Sequence, residues 1–143
     1  MASSNFRNLA DHLAGAAINF KTDSFKCLLV TSIPSETNLD SWINRSDVTN
    51  EATGTGYTAG GVAVTASVGA VDTTNNRVAI TFGNLAPGWT GSTITAVGAI
   101  IYKSTGTAAT DKLVQFVDFG GTISSTAGNY AVTFSAPLYI NAP

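Results

Sequence analysis

Apolar and polar positions follow two different periods along this chain. In the first stretch, Phe6, Leu9, Ala10, Leu13, Ala14 and Ala17 fall at i, i+3, i+4 and i+7 spacing. That period predicts an amphipathic helix from about Asn5 to Ile18, with Ser3 or Ser4 able to cap it. Arg7, Asn8, Asp11 and His12 lie mostly off the apolar face. Such a helix can cover a sheet edge or the open end of a sandwich, or dock on a neighbouring subunit. Phe25 to Ile33 has a nearly continuous apolar middle, the texture of a central strand covered on both faces. Pro34 ends it, because proline offers no N–H to a ladder. Ser35 to Asn50 is polar and charged, with a short helical turn expected around Leu39–Asn44 that Trp42 and Ile43 would pack down.

Beyond this point the period is two. Val62, Val64, Ala66 and Val68 alternate with Ala63, Thr65 and Ser67. Val78, Ile80 and Phe82 alternate with Arg77, Ala79 and Thr81. The turn-forming run Asp72 to Asn76 between them predicts a hairpin. Thr93 to Lys103 is a further strand, in which Gly98 marks a bulge or a close backbone approach. Leu113, Gln115, Val117 and Phe119 are expected on one face of the next strand, with Val114 and Phe116 on the other. Gly120 to Gly128 reads as a long flexible connection. Tyr130, Val132 and Phe134 then alternate with Ala131, Thr133 and Ser135, and Leu138 to Ile140 is a short continuation after Pro137.

Roughly six to eight short, evenly spaced strands with no crossover helix between the later ones predict an all-β fold. The expected architecture is an antiparallel β-sandwich, jelly-roll-like, with an N-terminal helix. One domain is expected over 1–143, with a helical segment at 1–22 and the sandwich at 25–143.

Charge sharpens this picture. Asp, Glu, Lys and Arg make up 11% of the chain, against about 25% in an ordinary soluble domain. Residues 52–143 hold only Asp72, Arg77, Lys103, Asp111, Lys112 and Asp118. Thr, Ser, Gly, Ala and Asn fill the polar positions instead, a surface that can meet another protein with little charge to desolvate. Basic residues never cluster, so neither a nucleic-acid nor a membrane partner is expected. No signal peptide is read at the start, and the apolar run Ala96–Tyr102 is too short to span a bilayer. Synthesis in a reducing cytoplasm is expected.

Candidate chemistry is sparse. His12 is the sole histidine, and its neighbour Asp11 cannot face it on a helix as a triad partner would. Cys27 is the sole cysteine, placed as a buried core thiol. One His and one Cys cannot build a zinc site. Asp47 to Glu51 lacks the glycine and the later glutamate of a calcium loop. Gly54 to Gly60 lacks the Lys-Ser/Thr ending of a phosphate loop. Any two acids could in principle meet as a hydrolytic pair, and Asp118, inside an apolar strand, is the most notable. No catalytic residue, metal ligand or cofactor is expected. Trp89, in the glycine-rich stretch Ala86–Gly91, is expected in a loop, either as a plug over the sandwich end or as an exposed anchor.

The order of several segments resembles small virion proteins of tailed bacteriophages. These are DHLAGAAINF (11–20), FKCLLVTSIP (25–34) with the Trp42 segment, GYTAGGVAVTA (56–66), GW with TITAVGAIIYKS (88–104), and KLVQFVDFGG (112–121). The resemblance implies a head decoration, or cement, protein that binds the outside of the major capsid lattice and sits on the virion. A homo-dimer or homo-trimer matching a lattice axis would be its natural form. Phe6, Arg7, Trp42 and Trp89 are the expected contact residues. A tail or fibre component is the first alternative. A carbohydrate-binding β-sandwich stacking sugars on Trp89 or Tyr57 is the second.

Overall fold

The computed structural model describes residues 3–141. In chain order its elements are β1 (Ser4–Asn5), α1 (Leu9–Ala14), β2 (Phe25–Val30), α2 (Glu36–Ser41), β3 (Gly54–Thr55), β4 (Val62–Val64), β5 (Ala66–Asp72), β6 (Arg77–Phe82), β7 (Leu85–Lys103), β8 (Lys112–Ser124), β9 (Gly128–Val132) and β10 (Leu138–Asn141). A 3-10 turn, Arg45–Asp47, follows α2. The main sheet runs β1-β8-β7-β2-β4, and a three-stranded sheet runs β10-β6-β5. The N-terminal half of β7 leaves the main sheet to pair with β9, from Leu85 opposite Val132 to Ser92 opposite Gly128. Every paired strand among the described residues is antiparallel. The fold is the expected all-β sandwich.

β2 is the doubly covered strand that its apolar run predicts. It lies between β7 and β4, and its alternate residues enter two cores. Cys27 and Leu29 join Ala99, Ile101 and Val114 on one face, opposite Ile80, Phe82, Leu85, Trp89, Tyr130, Val132 and Leu138. Leu28 and Val30 join Ile100, Tyr102, Leu113 and Phe116 on the other, beneath Phe6, Leu39 and Trp42. The first core is an aromatic seam between the layers, with Phe25 and Phe20 stacked at 5.2 Å and Phe82 edge-on to both.

The helix expected over Asn5–Ile18 is shorter. Ser4 and Asn5 instead pair with Phe116 and Gln115 of β8, and the Phe6 N–H donates to the Val114 carbonyl at 3.1 Å. A free sheet edge offers ladder hydrogen bonds that a fraying first helical turn cannot match. Ser3 does not cap the helix; its hydroxyl accepts from the Asp118 N–H at 2.9 Å. Asn8 stands at the cap position without a side-chain bond. At the other end, Ala16 turns to a φ of 56° and stops the helix.

Three strand readings also change. The 62–68 alternation is not one strand: it breaks at Thr65, so that β4 stays in the main sheet while β5 joins β6. The Thr65 carbonyl accepts the Gly83 N–H at 2.9 Å and pins that crossing point. The alternation along β8 is interrupted, because Ile101 pairs with Gln115 while Tyr102 pairs with Leu113. Val114 is the extra residue of a bulge, which sends Leu113 to the face of Phe116 and Val114 to the opposite core. Gly120–Ser124, expected as a flexible connection, lies within β8. The hairpin at Asp72–Asn76 forms as expected, with the Asp72 carboxylate accepting from the Thr74 and Asn75 N–H groups at 3.1 Å each.

Gly98 has a steric reason. A Cβ there would meet the Phe116 ring and lie 2.6 Å from the Val117 carbonyl oxygen. The β7–β8 register shifts at the same place, between Ala96 and Gly98.

Candidate functional site

The structure brings three of the four expected contact residues together and separates the fourth. Phe6 and Trp42 stack on each other with ring centroids 6.5 Å apart. They are 1% and 9% exposed. The expectation that they form a contact surface is therefore corrected: they close the chain's own second core. Arg7 follows Phe6 and does reach the surface. Its guanidinium donates to Glu36 Oε2 at 2.7 Å and lies 3.3 Å from Asp40 Oδ1, both on α2. The two aromatic side chains and this ion pair lash the N-terminal segment to α2. That helix is itself well started, with Ser35 and Asn38 bonded reciprocally in a capping box.

Trp89 stands apart, and not in a loop. It lies in the N-terminal half of β7, opposite Tyr130, and is 3% exposed. Tyr57 and Tyr130 pack on its ring at 5.6 and 6.2 Å. It is the plug, not the exposed anchor, and offers no free face to a sugar. Tyr57 is held by its hydroxyl, which donates to Glu51 Oε1 at 2.7 Å and accepts the Leu29 N–H at 3.1 Å.

Glu51 belongs to a polar chain that fastens loops to the main sheet. Its Oε1 also accepts the Gly60 N–H at 2.6 Å, while the Gly60 carbonyl accepts from the Tyr102 hydroxyl at 2.6 Å. The Arg45 guanidinium lies 5.5 Å from the Tyr102 ring centre and bonds Asp111 Oδ2 at 2.8 Å. Burial alone would push the Asp111 carboxyl up. Bonds from the Thr105 N–H and hydroxyl and from Arg45 outweigh it and hold the group below the ordinary carboxylate range. Each member of this chain has partners within the fold, so its work is structural.

The reactive inventory stays dispersed. Cys27 is fully buried, and burial pushes its thiol up to about 12, far from a reactive thiolate. His12 is buried on α1 with no partner at Nε2. Among the described residues no three His, Cys, Asp or Glu side chains gather as metal ligands.

Two surfaces remain that the sequence reading did not single out. The first is the outer face of the β10-β6-β5 sheet. Ser67 stands beside Thr81 and Ala79 beside Tyr139, and Arg77 lies flat on the Tyr139 ring at 3.7 Å. Its charges, Asp72 and Arg77, sit together at the hairpin end. Alternation alone placed these residues outward; what it lacked was the β10–β6 pairing that joins them. The second is a cleft of about 520 Å³ between β8 and residues 130–137. Phe119 and Phe134 line it from segments read as ordinary strand faces, and only the fold brings both to one cleft. Among the described residues no helix is long and apolar enough to cross a membrane. No family model, no curated protein and no solved structure matches the chain.

Proposed function

We propose that this chain is a structural virion protein that binds the outside of a major capsid lattice and stabilises a phage head. The observation that carries this reading is the outer face of the β10-β6-β5 sheet, where Ser67, Ala79, Thr81 and Tyr139 present hydroxyls, a methyl and an aromatic ring, while its charges, Asp72 and Arg77, lie 3.6 Å apart at the hairpin end with the Arg77 guanidinium over the Tyr139 ring. Such a face docks on a protein with little desolvation cost. Repetition around a lattice would add many modest contacts into firm retention. The resemblance of its segment order to small tailed-phage virion proteins supports the same reading, and a homo-dimer or homo-trimer would match a lattice axis.

Purified protein mixed with capsids that lack it should co-sediment with them, in copy numbers set by the lattice. Thr81→Glu places a charge in the middle of the proposed contact face at an exposed position. It should abolish co-sedimentation while leaving the circular dichroism spectrum unchanged. Co-sedimentation that survives Thr81→Glu rules out this face, and failure of the unmodified protein to bind rules out the function. A tail or fibre role would use the same fold; a dozen or fewer copies per particle, rather than hundreds, would select it.

A further inference from the structure

We propose that residues 4–14 form an acid-released arm, latched to β8 and α2 while His12 is neutral and freed when His12 takes up a proton. The latch is short and local. β1 pairs with β8 through Ser4 and Asn5 alone. The Phe6 N–H donates to the Val114 carbonyl at 3.1 Å, and the Arg7 N–H to the Leu39 carbonyl at 3.0 Å. The Asn8 side-chain amide donates to the Asp40 carbonyl at 3.3 Å. A hinge lies directly behind these contacts, where Gly15 caps α1 and Ala16 turns to a φ of 56°. The chain beyond the hinge is fastened independently. Lys103 Nζ donates to the Ala17 carbonyl at 2.7 Å and lies 3.2 Å from Asp23 Oδ2, and Phe20 stacks on Phe25. The arm can therefore leave while the segment after it stays.

His12 fits the latch in one protonation state. It is 5% exposed, and Nε2 is buried with no partner among the described residues. The Ile43 carbonyl accepts from the ring, so the proton of the neutral imidazole sits on Nδ1 and Nε2 carries a lone pair. A second proton turns Nε2 into a buried donor with nothing to receive it, which is costly. It also sets a cation beside Lys112 of β8. Asp11 on the same helix and the Ile43 carbonyl favour the cation, but burial and then Lys112 outweigh them. The other charges of the packed segments are engaged elsewhere. Asp47 accepts the Ile43 and Asn44 N–H groups at 2.9 Å each. Asp111 accepts from Arg45 at 2.8 Å, and Glu36 and Asp40 hold Arg7. Lys112 donates to Asn44 Oδ1 at 2.9 Å. Outside the latch the ring is solvated and takes its proton freely, so acid favours the released arm.

Release uncovers what the arm seals. The edge of β8 at Gln115 and Phe116 loses β1, and the Trp42 ring loses Phe6. An unpaired strand edge and a bared tryptophan are both features by which proteins bind one another.

The test is amide hydrogen exchange on the full chain at pH 7.5 and pH 5, corrected for intrinsic exchange and repeated in low urea. The Phe6 and Arg7 amides should exchange through an opening with little urea dependence, separate from the global opening that releases Ile100 and Ile101. Acid should raise the arm's opening constant by up to about thirtyfold, the limit for a released imidazole of pKa about 6.5 at pH 5. His12→Gln, which cannot titrate, should remove that rise, and Lys112→Gln should reduce it. If His12→Gln loosens the arm by itself, the size of the rise in Lys112→Gln decides. The proposal is overturned if the arm amides share the urea dependence of Ile100 and Ile101 at both pH values, or if their opening constant is the same at both. It is equally overturned if the rise survives His12→Gln or stays undiminished in Lys112→Gln.

Discussion

At the scale of single residues, the aromatic side chains carry the clearest lesson. Phe6, Trp42 and Trp89 have the composition of interface anchors, large rings set among small polar neighbours, and a core plug has the same local signature. What decides between the two is a partner far along the chain: Phe6 finds Trp42, and Trp89 finds Tyr57 and Tyr130. Local spacing carries no information about such meetings. Cys27 was legible because it sits in a largely apolar run, with Phe25 before it and Leu28 to Val30 after it. Trp42→Ala should therefore act on stability, lowering it by about 3–5 kcal/mol in urea unfolding. Gly98→Ala should cost about 1–3 kcal/mol by forcing Phe116 and Val117 apart. Gly121→Ala, where an added Cβ meets nothing within 4 Å, should stay within about 0.5 kcal/mol of the parent. His12 gives a pH dependence. Burial, then the nearby Lys112 charge, lower its pKa below the ordinary 6.5, against the opposing pull of Asp11 and the Ile43 carbonyl. The unfolded chain then binds the proton more readily than the folded one. The stability linked to His12 is complete above the unfolded pKa and is lost as pH falls from there toward the lowered folded value. Unfolding free energies measured from pH 7 to pH 5 should decline, and His12→Gln should flatten that decline.

At the scale of elements, strands with strict alternation were readable and their irregularities were not. The Asp72–Asn76 hairpin announced itself through turn chemistry, and β2 through its unbroken apolar run. The split at Thr65 and the bulge at Val114 leave the residue pattern nearly intact while changing which face each residue serves. The N-terminal helix was over-read because a 3.6 period in Ala-rich sequence also accommodates a short strand that gains a sheet edge. The turn around Leu39 was found, though displaced by a few residues toward its cap. That cap is testable by itself: Ser35→Ala removes both the bond to the Asn38 N–H at 3.2 Å and the reciprocal alignment of Asn38. A loss of about 0.5–2 kcal/mol is expected, with faster amide exchange confined to α2.

At the scale of the whole molecule, the scarcity of charge was legible at once, but its location was not. The candidate contact face assembles from β5, β6 and β10, whose adjacency depends on a C-terminal strand returning to pair with β6. If contact with the capsid runs through such a face, ionic strength has little to screen. Co-sedimentation should then change little between low salt and several hundred millimolar sodium chloride, whereas a contact built on Arg7 and the acids of α2 would weaken steeply.

β7 gives the molecule a characteristic response to opening. One unbroken strand, Leu85–Lys103, is zipped to β9 at one end and to β2 and β8 at the other. Neither partner set can detach by swinging about a loop, because the strand between them has no slack. Partial opening should accordingly reach β5 and β10, which border the smaller sheet, long before it reaches β7. In deuterium exchange the amides of Ala99–Tyr102 should be released only with global unfolding, and last of all in the chain. The strand acts as a clock hand for the whole fold: when its protons exchange, nothing folded remains.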